Sequence, residues 1–492
     1  MDGYILSIDQ GTTSSRAIIF DYEGNILKVA QKDIRQYYPA DGLVEHDPEN
    51  IWGTVYDVCR EVLKEYPEPD AAGITNQRET AVVWDRKTGE PVYPAIVWQD
   101  RRTAELCRSM RKEGSEVTVT SRSGLLLDPY FSGSKVKWIL DNVEGARERA
   151  ERGELAFGTV DSFLIWRLTG GSVHATDATN ASRTLLYNIH KGDWDDELLT
   201  LFDIPRSLLP EVKDSSDDFG RTAKKLFGRE IPIYSAVGDQ HAAMVGQACF
   251  DPGMMKCTYG TGGFLVLNTG DTAVKSRNRL LTTIAYSING EVTYAMEGAI
   301  FVAGAAVKWL RDTLGIIESS EEADLLARSI KSSGGVYMVP AFTGLGAPHW
   351  DPAAKGAFFG LRLDTGPAEI SRAVLESVCY QTSDLLDSMA ADGADTPRKL
   401  RVDGGMAASG WMLSFLSDIT GLDVQKPAVI ETTALGAAFL AGLRTGAYSS
   451  LDDIKKLWSY EREFNPALDD KTRNRLVSGW EKAVSMTRGF SA

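Results

Sequence analysis

The residues best suited to chemistry lie in the first strand of this chain and in the turn that follows it. Residues 4–8 are mostly apolar and lead to Asp9, Gly11 and four consecutive hydroxyl side chains at 12–15, before apolar residues resume at 17–20. The pattern predicts a β-hairpin with an acidic side chain at the end of its first strand. Small residues let the backbone approach a ligand, and the N–H groups of such a turn can hold an anion.

Asp9 is suited to hold a divalent cation. Mg²⁺ is the first choice, because it prefers one or two carboxylates together with phosphate oxygens. The alternative is an ordinary polar turn near the amino terminus. The other stretches of the chain favour the functional interpretation.

A second acidic side chain lies at a junction between a strand and a helix. Residues 231–237 read as a strand that runs through Gly238 and Asp239 directly into an alanine-rich helix. α/β folds bind ligands at such junctions, where an aspartate can act as general base toward a hydroxyl. The alternative role is the N-cap of that helix. His241 follows, but no second His or Cys lies nearby, so the sequence does not support a zinc site.

A charged pair follows the apolar residues 71–75. Arg78 donates in a planar pattern and Glu79 accepts, which together suit the vicinal hydroxyls of a small polar ligand. The alternative is a solvated surface pair. Trp98 and Tyr130 either form the wall of a pocket or pack in a core, and for isolated aromatic residues the core is the simpler expectation.

The elements that position these residues occur twice along the chain. Residues 255–267 repeat the opening strand, Gly and Thr turn and strand, and residues 399–409 repeat the strand, small-residue turn and helix of the Asp239 region. The simplest account is two related domains, 1–249 and 250–492, with a nucleotide held between two hairpin turns.

Three helices are predicted from their local patterns. Asp47 caps a helix expected over 49–65. A second helix, with a face of small residues, is expected to begin at Glu297 and to run through Trp309. A third covers 432–442, and we expect it to pack tightly near a hinge between the domains.

The composition is that of a globular protein of two or three domains, with 492 residues, 43% of them hydrophobic and 25% charged. The net charge of −15 argues against a nucleic-acid partner or an anionic membrane surface. The five cysteines are scattered and odd in number, which favours reduced thiols in a cytoplasmic protein. The first strand begins at about Tyr4, which leaves no room for a signal peptide, and no apolar run is long enough for stable membrane insertion.

These stretches closely resemble the FGGY carbohydrate kinases of the actin/Hsp70/sugar-kinase superfamily. No GxxxxGK[ST] sequence is present and no GxGxxG follows a strand, so a nucleotide must be held by the paired hairpins and by Gly404 and Gly405. The resemblance implies an α/β fold of two ribonuclease H-like, actin-like ATPase domains with a nucleotide cleft between them, and it implies ATP and Mg²⁺ as cofactors. The residues that carry it are 9–16, 45–48, 76–80, 128–133, 238–240, 259–262 and 402–405.

Within this family the chain is most similar to the branch that phosphorylates glycerol. The resemblance implies ATP-dependent formation of sn-glycerol 3-phosphate in glycerol catabolism. The alternative is a related FGGY kinase that acts on another polyol or on a ketose, and an ATPase indifferent to polyols would share the hairpins without needing the Arg78–Glu79 pair. Relatives form homo-oligomers, so we expect a dimer or a tetramer.

The resemblance also implies a role for each site residue. Asp239 would be the catalytic base, and Asp9 would be catalytic as the metal-binding residue. The implied substrate-binding residues are Arg78, Glu79, Trp98, Tyr130, Asp239, Gln240 and Phe264. The implied nucleotide-binding residues are Thr12, Thr13, Ser14, Arg16, Thr261, Gly304, Lys308, Gly405 and Ser409, among which Lys308 and Ser409 depart from the usual glutamine and asparagine.

Overall fold

The computed structural model describes residues 3–351, 353–395 and 397–490. The β-strands are β1 Tyr4–Gln10, β2 Ser14–Asp21, β3 Ile26–Asp33, β4 Gln36–Tyr37, β5 Glu45–His46, β6 Ala71–Asn76, β7 Val82–Asp85, β8 Ala95–Ile96, β9 Leu155–Gly158, β10 Ala175–Asp177, β11 Tyr187–Asn188, β12 Asp193–Trp194, β13 Glu211–Lys213, β14 Ile233–Gly238, β15 Met255–Tyr259, β16 Gly263–Gly270, β17 Leu281–Ile288, β18 Glu291–Ile300, β19 Tyr337–Val339, β20 Ala357–Phe359, β21 Lys399–Asp403, β22 Asp423–Pro427 and β23 Tyr460–Phe464. The α-helices are α1 Pro48–Val62, α2 Ala104–Lys112, α3 Glu116–Ser123, α4 Ser132–Asn142, α5 Ala146–Glu151, α6 Val160–Leu168, α7 Ala178–Ala181, α8 Asp196–Phe202, α9 Lys224–Phe227, α10 Asp239–Gly246, α11 Gly304–Asp312, α12 Ser320–Ser329, α13 Pro367–Ala391, α14 Gly410–Thr420, α15 Thr432–Thr445, α16 Leu451–Leu457 and α17 Asp470–Gly489.

The first large sheet contains the opening hairpin and has the strand order β14-β6-β1-β2-β3. β1 pairs antiparallel with β2, which places Asp9 opposite Arg16, and β2 pairs antiparallel with β3. β1 also pairs parallel with β6, and β6 pairs parallel with β14. The carboxyl ends of these three parallel strands lie at one edge of the sheet, so Asp9, Arg78 and Asp239 come together there. The predicted hairpin and the predicted Asp239 junction are confirmed.

The second large sheet repeats this arrangement, with the order β17-β18-β16-β15-β21-β22-β23. β15 pairs antiparallel with β16 and parallel with β21, as β1 does with β2 and β6. One predicted equivalence was wrong, because residues 399–409 do not correspond to the Asp239 region. β21 occupies the position in the second sheet that β6 occupies in the first, and β22 occupies the position of β14. A local strand-turn-helix pattern does not specify which strands become neighbours in a sheet.

Glu297 lies in a strand, so the helix predicted to begin there was also wrong. β18 extends to Ile300 and hydrogen-bonds to β16 on one side and to β17 on the other, and α11 begins only at Gly304. The small residues serve close packing of the strand, because a Cβ built on Gly298 would lie 2.8 Å from the Leu385 side chain of α13.

Two of the predicted helices are confirmed. α1 begins at Pro48, and its N-cap Asp47 accepts a hydrogen bond from the Glu49 N–H. α15 covers the third predicted helix, and it packs against α10 with their backbones in contact. A Cβ built on Gly436 would lie 1.9 Å from the carbonyl oxygen of Ala242. The domain division at residue 249 stays a prediction, and α15, from the second half, packs directly on the first sheet.

Two further features bear on the expected class of protein. Over the residues that the structure describes, no helix is both long enough and apolar enough to cross a membrane. All five cysteines are buried with free thiols, in agreement with the cysteine pattern of the sequence.

Gly436→Ala should lower the free energy of unfolding by about 2–3 kcal/mol, because the new methyl group would force α15 away from α10. Gly53→Ala is the matched control, since Gly53 lies within α1 and a Cβ there would meet no atom within 4 Å. This control should be neutral or stabilising by about 0.5–1 kcal/mol. Urea unfolding of both variants measures the difference, and an unchanged stability of Gly436→Ala would contradict backbone contact between the helices.

Candidate active site

Arg78 lies at the centre of a cluster of carboxylates. Its side chain is 2% exposed, and its Nη1 and Nη2 donate to Glu297 Oε2 at 2.5 Å and to Oε1 at 3.0 Å. Its Nε lies 3.3 Å from Asp239 Oδ1 and 3.6 Å from Glu79 Oε1. A buried guanidinium is stable only when it is paired in this way, so the position of Arg78 depends on all three acids.

Arg183 is a second buried cation in the cluster. It donates from Nε to Glu79 Oε1 at 2.7 Å and from Nη2 to Glu297 Oε1 at 2.9 Å. Burial alone would raise the pKa of Glu297, but the charges of Arg183 and Arg78 outweigh it and hold that pKa well below its usual range. Two guanidinium groups therefore balance two fully buried glutamates, and Asp239 is the more accessible acid beside them.

Three aromatic side chains form a wall next to Arg78. The ring of Trp98 lies edge-to-face with Tyr130 at a centroid distance of 5.6 Å and with Phe264 at 6.4 Å. Trp98 Nε1 donates to Thr12 Oγ1 at 3.0 Å, and the Tyr130 hydroxyl lies 3.4 Å from Arg78 Nη2. All three rings are half-buried, so they line a site and are not enclosed in a core. One apolar side and one charged side suit a small polyol.

Asp239 is the first residue of α10, and its side chain is 30% exposed. The N-cap of the helix is Gly238, so the capping role considered for Asp239 is not the one the structure shows. Burial raises the pKa of Asp239, while the positive charges of Arg78 and Lys256 oppose this rise. A partly accessible carboxylate of raised pKa is suited to accept a proton from an alcohol.

The predicted site residue Gln240 is held by a buried lysine from the second sheet. Lys256 lies in β15 and donates from Nζ to Gln240 Oε1 at 2.5 Å and to Thr258 Oγ1 at 2.9 Å. Burial lowers the pKa of Lys256, against the nearby charge of Asp403. The Gln240 carbonyl oxygen is therefore engaged, while its amide N–H groups donate to no acceptor within the described residues.

The carboxylate of Asp9 accepts no hydrogen bond from any donor within the described residues. Arg16, which lies opposite it in β2, donates instead to Glu431 at 2.6 Å. Burial raises the pKa of Asp9 to about 7 despite Arg16, and the charges of Glu431 and Asp239 add to the rise. Such a carboxylate fits a hard cation. No group of three His, Cys, Asp or Glu side chains in the described part of the chain forms a complete metal site, so Asp9 would share the ion with water or phosphate.

The first hairpin turn is closed by a hydrogen bond from the Gly11 N–H to the Ser14 carbonyl at 2.9 Å. Thr13 is exposed, Thr12 is half-buried and Ser14 is buried within β2. Only Thr12 and Thr13 therefore present hydroxyl groups at the turn. The Thr12 hydroxyl also accepts a hydrogen bond from the indole N–H of Trp98.

The second hairpin turn lies against two other predicted nucleotide positions. The Gly304 N–H donates to the Gly260 carbonyl at 3.0 Å, and Thr261 is exposed beside it. Gly404 has a φ of +85°, which turns the backbone into Gly405. A Cβ built on Gly260 or on Gly405 would meet no atom within 4 Å, so both backbones border open space that a phosphate group can enter.

The last two predicted nucleotide positions lie apart from these turns. Lys308 is exposed on α11, one helical turn after Gly304. The Ser409 hydroxyl accepts from the Met412 N–H at 3.1 Å as the N-cap of α14, and it also donates to Asp324. The Ser409 hydroxyl therefore has a structural role, as the cap of α14 and as a donor to Asp324.

The family of the chain follows from comparison with known proteins. Residues 4–246 match the N-terminal domain of the FGGY family of carbohydrate kinases, and residues 255–444 match its C-terminal domain. The chain belongs to this family. Its fold is the two-domain α/β arrangement of the FGGY kinases, as the sequence resemblance predicted.

Individual FGGY proteins are similar over nearly the whole chain. Glycerol kinase of Rhodospirillum centenum is 59% identical over 488 residues, which cover 98% of each chain. Glycerol kinase 1 of Pseudomonas aeruginosa is 57% identical over 492 residues, which cover 99% of each. The crystal structure of Plasmodium falciparum glycerol kinase with ADP superposes with a TM-score of 0.94 and 37% identity, covering 99% of this chain and 98% of that one.

Three residues of the site were not predicted from the sequence. Glu297 was placed in a helix, and neither Arg183 nor Lys256 was considered. A lysine within the apolar strand 255–259 is a usable signal, because burying its charge requires a partner. Arg183 follows a run of small and polar residues that carries no comparable signal.

Ser409→Ala should lower the free energy of unfolding by about 1 kcal/mol, because it removes the N-cap of α14. Ser450→Ala is the control, since Ser450 lies at the N-cap of α16 but makes no capping hydrogen bond, and we expect no change there. Thermal unfolding of the two variants makes the comparison. Equal effects would contradict the capping role of Ser409.

Proposed function

We propose that this FGGY kinase transfers the γ-phosphoryl group of ATP to a terminal hydroxyl of glycerol and forms sn-glycerol 3-phosphate. The observation that carries the proposal is the meeting of Asp239 and the Arg78–Glu79 pair with the wall of Trp98, Tyr130 and Phe264. Proteins named glycerol kinase at 57–59% identity over nearly the full chain support it. The reaction serves glycerol catabolism, and we assign the protein to the cytoplasm as a homo-oligomer, a dimer or a tetramer.

The acceptor side of the site selects and orients the alcohol. Arg78 donates to glycerol hydroxyls, Glu79 and Gln240 provide further polar contacts, and the rings of Trp98 and Phe264 pack against its carbon atoms. Most of the catalytic effect of such a site comes from positioning the acceptor, because phosphoryl transfer needs little covalent chemistry from the protein.

Asp239 accepts the proton of the attacking hydroxyl. The glycerol oxygen forms a bond to the γ-phosphorus, the bond from that phosphorus to the β,γ-bridging oxygen breaks, and ADP leaves. The raised pKa of Asp239 suits this role, because a more basic carboxylate takes the proton more readily as the bond forms.

The phosphates of ATP lie between the two hairpin turns in this proposal. Thr12, Thr13, Ser14 and Arg16 belong to the first hairpin, and Thr261, Gly304 and Gly405 border the second turn, with Lys308 and Ser409 farther toward the nucleoside. Asp9 would hold Mg²⁺, and its unpartnered carboxylate and raised pKa fit that ion. When bound, Mg²⁺ neutralises negative charge on the phosphates.

The substrate is tested by ADP release from MgATP in the presence of glycerol, xylulose, gluconate or no acceptor. We expect release to depend strongly on glycerol, because the site next to Asp239 has polar groups in Arg78 and Glu79 that suit vicinal hydroxyls. A preference for xylulose or gluconate would reassign the substrate within the family. Release that is equal without any acceptor would make the protein an ATPase.

Asp239→Asn should lower kcat by about 10²–10⁴-fold, because the amide cannot take the proton of the hydroxyl. Asp271→Asn, at an exposed position of the second half, is the control and should leave kcat unchanged. Thermal unfolding should be similar for both variants, since Arg78 keeps its two-point contact with Glu297 when Asp239 is replaced. Turnover of Asp239→Asn close to that of the unsubstituted protein would remove Asp239 as the base.

A further inference from the structure

Glu297 reaches the acceptor pocket from the opposite half of the chain. It lies in β18 of the second sheet, and Arg78, 219 positions earlier, follows β6 of the first sheet. Its side chain is 0% exposed, and each of its hydrogen bonds goes to a guanidinium group. Oε2 accepts from Arg78 Nη1, and Oε1 accepts from both Arg78 Nη2 and Arg183 Nη2.

The paired contact fixes the plane of the Arg78 guanidinium. An arginine has five N–H groups, and Glu297 takes one from each Nη in a two-point contact. Nη2 donates its second N–H to the Tyr130 hydroxyl of the aromatic wall at 3.4 Å. Among the described residues, the second N–H of Nη1 and the N–H of Nε make no hydrogen bond, although Nε lies beside two carboxylates. The contact with Glu297 therefore determines which N–H groups of Arg78 are left for a ligand and in which direction they point.

Without the contact with Glu297, two other acids would compete for Arg78. Glu79 and Asp239 already lie 3.6 Å and 3.3 Å from its Nε. A guanidinium released by Glu297 would turn toward these carboxylates, and its N–H groups would leave the orientation that suits an alcohol. Asp239 would at the same time be paired more strongly and become a weaker base.

We propose that Glu297 is a positioning residue, which holds Arg78 from the second half of the chain so that its remaining N–H groups face the acceptor alcohol. This inference rests on the proposed function, because it concerns the acceptor pocket of that reaction. The pocket is then shaped by both halves together, and its affinity for the alcohol depends on their contact through Glu297.

A simpler role for Glu297 would be to neutralise two buried arginines. The two roles differ for Glu297→Asp, which keeps the charge but withdraws the carboxylate by about one carbon–carbon bond, roughly 1.5 Å. Neutralisation alone predicts an unchanged glycerol KM for this variant. Positioning predicts a raised KM, because the shorter side chain cannot keep both contacts with Arg78.

The test measures kcat and the KM values of glycerol and MgATP for Glu297→Gln and Glu297→Asp. We expect glycerol KM to rise about 10- to 100-fold for Glu297→Gln, the effect of one charge-assisted hydrogen bond, and to rise less for Glu297→Asp. The KM of MgATP should stay unchanged. Glu291→Gln, at the exposed start of the same strand, is the control and should match the unsubstituted protein.

Three outcomes would overturn the proposal. These are an unchanged glycerol KM in Glu297→Asp, an equal rise of both KM values, and a loss of stability with normal kinetics in the folded fraction. If Glu297→Gln fails to fold, Glu297→Asp decides alone, because it retains the charge balance. If the unsubstituted protein prefers another acceptor, the proposed substrate fails, and the same KM ratio is then measured with that acceptor to judge Glu297 separately.

Discussion

The site depends on one physical constraint, the burial of two guanidinium groups. Arg78 and Arg183 lie where water does not reach them, so each must be paired with carboxylates. The partners come from three separate segments of the chain: Glu79 next to Arg78, Asp239 at the start of α10, and Glu297 in the second sheet. Pairing the arginines therefore brings the two halves of the chain together at the pocket.

Backbone packing between two helices supports the same arrangement. α10, which begins with Asp239, lies against α15 of the second half, and glycines on both helices let their backbones touch. Two serines of the first sheet, Ser7 and Ser235, donate to carbonyl groups of α15 at 2.7 Å. The position of Asp239 is thus fixed through its helix, while its charge environment is set by the buried ion pairs of Arg78 and Arg183.

Much of this could be predicted from the sequence, because it depends on local patterns. The opening hairpin, the capped start of α1 and the junction at Asp239 follow from apolar periodicity and turn residues. The error at Glu297 arose because its small-residue surroundings suit a helix, whereas pairing with two neighbouring strands holds it extended. Arg183 was not recognised because its partner Glu79 lies 104 positions away. The place of β21 in its sheet likewise depends on distant neighbours.

The central claim is that glycerol binds between Arg78 and the aromatic wall with a hydroxyl at Asp239. A crystal structure with glycerol and a non-hydrolysable ATP analogue tests it most directly. The account predicts a terminal hydroxyl within hydrogen-bond reach of Asp239, at about 2.6–3.2 Å, with Arg78 still paired to Glu297 and donating to the alcohol from its other N–H groups. Glycerol bound elsewhere, or Arg78 turned away from Glu297 to reach it, would contradict the account.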